Sequence, residues 1–242
     1  MNTNRIESLD NKKIKDACRL KDGKDSRFLV EGHHLVEMAL SSGLTETVFS
    51  IDDDELAVPS YLVSPIVLKK LCSTVTPEGI VAVVKKKETY DLSCSRVLFL
   101  DSINDPGNMG TLLRSALSFG FKDVILSKGC ASPYSSKSLL ASQGAIFFLN
   151  IIELKDDSVD YLVKAKEKGY SSLATELPAS LPLKEVPRDL EKLILILGNE
   201  ARGVSKEILS ISDMRMRIEM EGIDSLNVGV AGGIAMYELK EE

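Results

Sequence analysis

From Val97 onward, short apolar runs alternate with segments of helical spacing, and this alternation limits the possible folds more than any other feature of the chain. The candidate strands are Val97–Leu100, Val124–Leu126, Ile151–Leu154, Ser172–Ala174, Leu193–Leu197 and Met214–Ile218. Helical segments lie between them at Thr111–Phe119, Ser138–Phe147, Ser158–Lys168 and Lys206–Ile211, and a last one runs from about Asn227 to Leu239. Strand followed by helix, repeated, predicts an α/β fold with a mostly parallel sheet covered on both faces. Ligands in such sheets bind beyond the carboxyl ends of the strands, so polar residues just after each apolar run are the first candidates for function.

Residues 26–88 predict a separate, smaller α/β unit. Phe28-Leu29-Val30 is a short strand, Gly32 punctuates it, and Leu35, Met38 and Ala39 follow at helical spacing. Thr47–Ile51, Tyr61–Val63 and Ile80–Val84 predict further strands, and Pro65 suits the first turn of a helix carrying Leu68 and Leu71. The charged stretch Lys85–Asp91 changes the composition. It sets the expected boundary between a first domain, 1–90, and a second, 91–242.

Composition narrows the chemistry. The only histidines are His33 and His34, and the four cysteines (Cys18, Cys72, Cys94, Cys130) form no CxxC pair, so no metal site is expected. Scattered thiols, a polar N-terminus without an apolar signal core and the lack of a bilayer-length apolar run predict a cytoplasmic protein without membrane partners. The net charge of −6 disfavours a general nucleic-acid binder, and no DNA partner is expected. A basic footprint can still be local. Residues 1–27 hold eight Lys/Arg against five Asp/Glu, and Lys85, Lys86 and Lys87 form a short basic run.

Three segments carry chemistry. In Asn104-Asp105-Pro106-Gly107-Asn108-Met109-Gly110-Thr111-Leu112-Leu113-Arg114-Ser115-Ala116, a polar turn after a strand opens a helix, with Asn108 expected as its N-cap. Arg114 stands early in that helix, against the dipole, where an anionic partner would explain it; a surface arginine is the plainer reading. In Gly198-Asn199-Glu200-Ala201-Arg202-Gly203, a buried strand ends in a loop framed by glycines. It has phosphate-loop spacing, but Val204-Ser205 stands where lysine is required, which weakens an NTPase reading. In Gly222-Ile223-Asp224-Ser225-Leu226-Asn227, Ser225 or Asn227 can cap the final helix, whose Gly229, Gly232 and Gly233 are costly for helix propensity. Close approach of another backbone or of a flat ligand accounts for them better, and tight core packing is the plainer reading.

Together, in this order, the segments resemble the SpoU (TrmH-like) family of the SPOUT RNA methyltransferases. The shared pattern is N-D-P-x-N-x-G-x-x-x-R-x-A, then G-N-E-x-x-G, then glycine, S-L-N and an A-x-x-I-x-x-Y-E helix, matched at Asn104–Ala116, Gly198–Gly203 and Gly222–Glu238. The resemblance implies a trefoil knot in the C-terminal domain and an L30e-like, RNA-binding N-terminal domain. It implies transfer of a methyl group from S-adenosylmethionine to a ribose 2′-hydroxyl in structured RNA, ribosomal RNA before transfer RNA, by a homodimer. Gly198, Ile218 and Leu226 would give the cofactor backbone contacts, with Thr175 and Asn199 as further lining. Arg114 would clamp phosphate and stabilise the developing alkoxide, because a guanidinium stays protonated. Asn108 and Glu200 would orient Arg114 and the ribose, and Ser225 and Asn227 would sit beside the sulfonium. Leu140 stands where relatives place an arginine, Glu219 where proline is common, and Ala201 where glycine is frequent. The alternative is a non-catalytic RNA-binding assembly factor with the same fold.

Overall fold

Apolar alternation in the first ninety residues produces five short strands: β1 (Asn4–Ile6), β2 (Arg27–Glu31), β3 (Thr45–Ser50), β4 (Ser60–Val63) and β5 (Ile80–Lys85). Three helices accompany them: α1 (Lys12–Cys18), α2 (His33–Ser41) and α3 (Pro65–Leu71). The computed structural model describes residues 4–53, 55–177, 180–223 and 225–241, so Asp224 of the third motif and residues 1–3 of the basic segment lie outside the described residues. The sheet order is β1-β4-β3-β5-β2, with β4 parallel to both its neighbours and β5 antiparallel to both of its own. Ile14, Leu20, Leu29, Phe49, Val67, Leu71 and Val81 form its core. Pro65 opens α3, as expected from the sequence, and Ser64 caps it. Neither β1 nor α1 is legible in the sequence: α1 buries only Ile14 and Ala17, too few to show a helical period.

The C-terminal half builds a seven-stranded sheet. It begins with β6 (Arg96–Asp101), α4 (Pro106–Ser118) and β7 (Asp123–Leu126). The next helix, α5 (Ser136–Ser142), departs from the alternation: residues Ser132–Phe147 group with Met1–Glu88 in one compact unit, leaving Thr89–Ala131 and Phe148–Glu242 as the other. Leu140, on α5, therefore belongs to the first unit. The second unit continues with β8 (Asn150–Glu153), α6 (Ser158–Glu167), β9 (Ser171–Thr175), β10 (Leu181–Pro182), β11 (Leu193–Gly198), α7 (Lys206–Ile211), β12 (Met214–Arg217) and α8 (Val228–Leu239). The strands lie in the order β10-β12-β9-β11-β6-β7-β8, every pair parallel, so the expected parallel α/β architecture is present. Each residue of β6 and β11 is buried. No described helix is long and apolar enough to cross a membrane.

The last helix is held by shape and by polarity. A Cβ on Gly232 would stand 2.3 Å from Leu112 Cδ2 and 2.6 Å from Leu197 Cδ1, so any side chain there would force these two buried leucines to shift before α8 could seat against α4 and β11. The glycines of α8 thus make room for side chains of neighbouring elements rather than for another backbone. At the far end, the buried Arg96 guanidinium donates from Nε to the Leu239 carbonyl at 2.8 Å and from Nη1 to that of Leu190 at 3.0 Å. A cation at a helix C-terminus suits the dipole and satisfies a carbonyl that the helix leaves open. Gly232→Ala gains about 1 kcal/mol in helix propensity but overpacks this contact, and a net loss of about 1–2 kcal/mol is expected in urea unfolding followed by circular dichroism.

Candidate active site

The exits of β6 and β11 lie side by side, since Leu197 pairs with Leu100 and Gly198 with Asp101. After β6, Ser102 takes a left-handed φ of 58°, unusual for a residue with a side chain. It is held there by its N–H, which donates to Ser127 Oγ at 2.9 Å. The buried Asp101 beneath it accepts from Ser127 Oγ and from the backbone N–H of Ser205 at 2.8 Å, tying β6 to the entrance of α7.

Helix α4 then starts one turn earlier than the sequence suggests. Asp105, not Asn108, is the N-cap: its carboxylate accepts from the Asn108 N–H at 2.9 Å, and Pro106 occupies the first turn. Relieved of capping, the Asn108 side chain faces the other two motifs. Its Nδ2 donates to Glu200 Oε1 at 2.9 Å, and its Oδ1 accepts from Asn227 Nδ2 at 2.9 Å. Asn227 is the N-cap of α8, its Oδ1 accepting from the N–H groups of Gly229 and Val230. The three segments therefore meet in one array, Asn227–Asn108–Glu200, in which each amide has a single orientation.

The loop after β11 is closed by Asn199, only 8% exposed. Its Nδ2 donates to the Ser102 carbonyl at 2.8 Å, and its Oδ1 accepts from the N–H groups of Ala201 and Arg202 at 3.0 and 3.2 Å. Its backbone exchanges hydrogen bonds with Gly203 in both directions. A Cβ on Gly198 would stand 2.1 Å from Gly203 C and Val204 N, so glycine is needed here for the loop to fold back on itself.

Beside this loop lies a cleft of about 470 Å³. Thr175, Gly198, Asn199, Ile218 and Leu226, the residues expected to hold a cofactor, all line it, together with Glu200 and Ser225. Apolar walls come from Leu197, Met216, Val228 and Ala231, and the sequence alone did not single these out. Arg202 also lines it, inside a motif whose variable positions carry no signal of their own. Thr175 Oγ1 is already donated to the Ile196 carbonyl at 3.2 Å. Arg114 stands apart. It is exposed on α4, six residues or about 9 Å of helix rise beyond Asn108, and its guanidinium has no hydrogen bond or ion pair among the described residues. Asn108 thus bonds Glu200, and among the described residues it makes no hydrogen bond to Arg114. Burial pushes the Cys72 thiol up to about 12 and the Cys130 thiol to about 11, so neither is an activated nucleophile.

The SpoU rRNA methylase family matches residues 95–237, and a family described as RNA 2′-O ribose methyltransferase substrate binding matches residues 29–90. The chain belongs to the SpoU family. Among its SpoU relatives is the 23S rRNA (guanosine(2553)-2′-O)-methyltransferase RlmP of Bacillus subtilis, 34% identical, with 97% of this chain and 98% of the relative covered. An uncharacterised tRNA/rRNA methyltransferase of Synechocystis is 31% identical over 98% of this chain and 93% of its own. An rRNA methyltransferase from Sinorhizobium meliloti shares the fold with a TM-score of 0.88, at 24% identity and with 99% and 98% of the two chains covered. A solved RNA 2′-O ribose methyltransferase, 28% identical, superposes with a TM-score of 0.79, covering 97% of each chain.

Asn199→Asp tests the loop clasp. The substitution keeps the acceptor but points a carboxylate oxygen at the Ser102 carbonyl and at Glu200, and a loss of at least about 2 kcal/mol is expected in urea unfolding at pH 7. The new carboxyl binds its proton more tightly in the folded than in the unfolded state. The deficit against wild type should therefore shrink as pH falls, and a deficit that does not change with pH would refute the clasp.

Proposed function

We propose that this chain transfers a methyl group from S-adenosylmethionine to a ribose 2′-hydroxyl of structured RNA, with ribosomal RNA as the substrate and a homodimer as the acting form. The observation that carries the reading is the Asn227–Asn108–Glu200 array, built from all three SpoU motifs and bordering a cleft of cofactor size. The residues present fit the cofactor. Apolar walls suit an adenine ring, the Gly198–Gly203 loop offers backbone groups, and Asn199, Glu200 and Ser225 bring polar ones to the same cleft. The bound cofactor supplies an electrophilic methyl group.

The chain's own residues divide the remaining work. Glu200, fixed by amide donors from Asn108 and Asn199, accepts the hydrogen bond of the 2′-hydroxyl and aligns its oxygen. Asn227 and Ser225 border the position of the reacting atoms. Arg114, exposed on α4 and unpaired among the described residues, is free to clamp an RNA phosphate and to offset charge developing on the ribose oxygen. Residues 29–90 would present the RNA, in keeping with the substrate-binding family that they match. The basic residues of 1–27 and the run Lys85–Lys87 would lend that domain, 1–90, its positive footprint, with 91–242 as the methyltransferase domain.

Helix α8 supports the homodimer. Val230, Ile234 and Tyr237 recur along it at helical spacing and are 51%, 39% and 54% exposed, an apolar stripe beside α4 of the kind that a second copy covers. The knot implied by the family draws support from the chain's path, which leaves the sheet at β11, forms β12 beyond β9 and returns to seat α8 against β11. The similarity to the B. subtilis 23S rRNA enzyme over nearly the whole chain favours ribosomal RNA, and a cytoplasmic location follows from that substrate. Transfer RNA is the alternative.

Mapping 2′-O-methyl sites in RNA from cells with and without the gene identifies the substrate. On that RNA, Arg114→Ala is expected to lower methyl transfer by roughly 10²-fold while leaving S-adenosylmethionine affinity unchanged. Wild-type transfer by the variant would remove Arg114 from the mechanism.

A further inference from the structure

Arg202 is a cation of the cleft lining that pairs with neither lining carboxylate, Glu176 or Glu200, among the described residues. It lines the cleft from the loop that also carries Glu200, and among the described residues its guanidinium makes no hydrogen bond or ion pair. The other cation of the lining is engaged, since Arg217 donates to the Ser180 carbonyl. The carboxylate of Glu176, also in the lining, is paired with Arg215 at 3.0 Å. The Arg202 side chain is exposed, but the backbone that presents it is held. Its N–H is held by Asn199 Oδ1, and Gly203, at φ 70°, turns the chain directly after it. A guanidinium presented by fixed backbone loses less freedom when it closes on a planar anion, and its fork matches a carboxylate.

We infer that Arg202 binds the α-carboxylate at the methionine end of the cofactor. This rests on the reading of the cleft as the methyl-donor site. The adenosine part of that molecule carries no charge for Arg202 to meet, whereas its amino-acid end carries one carboxylate. An RNA phosphate offers similar chemistry, but among the described residues Arg114 is the unpaired arginine placed outside the cleft lining, and Arg202 the one within it. The assignment makes the loop after β11 bifunctional: Glu200 turns to the methyl acceptor and Arg202, two residues on, to the tail of the donor.

Calorimetry with two ligands isolates this contact without any RNA. S-adenosylhomocysteine keeps the carboxylate, and 5′-methylthioadenosine lacks the whole amino-acid end. Arg202→Gln should weaken S-adenosylhomocysteine about ten-fold and leave 5′-methylthioadenosine unchanged, with Arg202→Lys between the two. Equal S-adenosylhomocysteine affinity in wild type and Arg202→Gln would overturn the inference, and a parallel loss of RNA affinity would assign Arg202 to phosphate instead. Equal weakening of both ligands would also overturn it, by showing a disturbed loop. Wild-type protein that binds neither ligand would sink the reading of the cleft itself, a failure distinct from that of Arg202.

Discussion

The buried amide of Asn199 uses both its ends to hold the exits of the two central strands together, its nitrogen on the Ser102 carbonyl and its oxygen on two backbone N–H groups of its own loop. Parallel strands bring β6 and β11 into register, but register alone leaves their exits free. The amide removes that freedom. Glu200 follows it in sequence, so the carboxylate that meets Asn108 inherits its position from a neighbour 8% exposed. Gly198 is part of the same device, because any side chain there would strike the returning backbone of Gly203 and Val204.

The second determinant is the seating of α8 on α4. Gly232 lets Leu112 and Leu197 approach the helix axis, and that close packing brings the N-terminus of α8 to the N-terminus of α4. Asn227 and Asn108 can then bond across 119 positions of sequence. Packing in the core and polarity at the rim are one arrangement here. The apolar contact fixes where the helices cross, and the amides near their N-termini bond the two helices across that crossing.

Much of this was legible in the sequence because it rests on local signals. The apolar runs located every strand of the parallel sheet except β10, which is two residues long and has a proline in it. The cleft residues were named through the family resemblance carried by G-N-E-x-x-G and S-L-N, of which the first follows directly on the end of β11. Capping was read less well: Asn108 and Asp105 are both good N-caps, and only the backbone shows that Pro106 already lies in the helix. The membership of Ser132–Phe147 was illegible because it depends on long-range partners. Phe28 meets the Tyr134 ring at 4.9 Å, and Ser132 Oγ donates to the Gly23 carbonyl, neither of which leaves a trace in local periodicity. Arg202 was passed over for a related reason, since its significance lies in what its neighbours already hold.

The bonds at the two ends of α8 have a dynamic consequence. Asn227 ties its first turn to α4, and Arg96 grips the Leu239 carbonyl at its last. A helix pinned at both ends and sunk into a groove along its length cannot swing outward like a lid without breaking all three restraints together. Opening of the cleft should therefore be left to parts of the chain other than this helix. Whatever occupies the cleft would then enter and leave while α4 and α8 keep their crossing as a rigid pair.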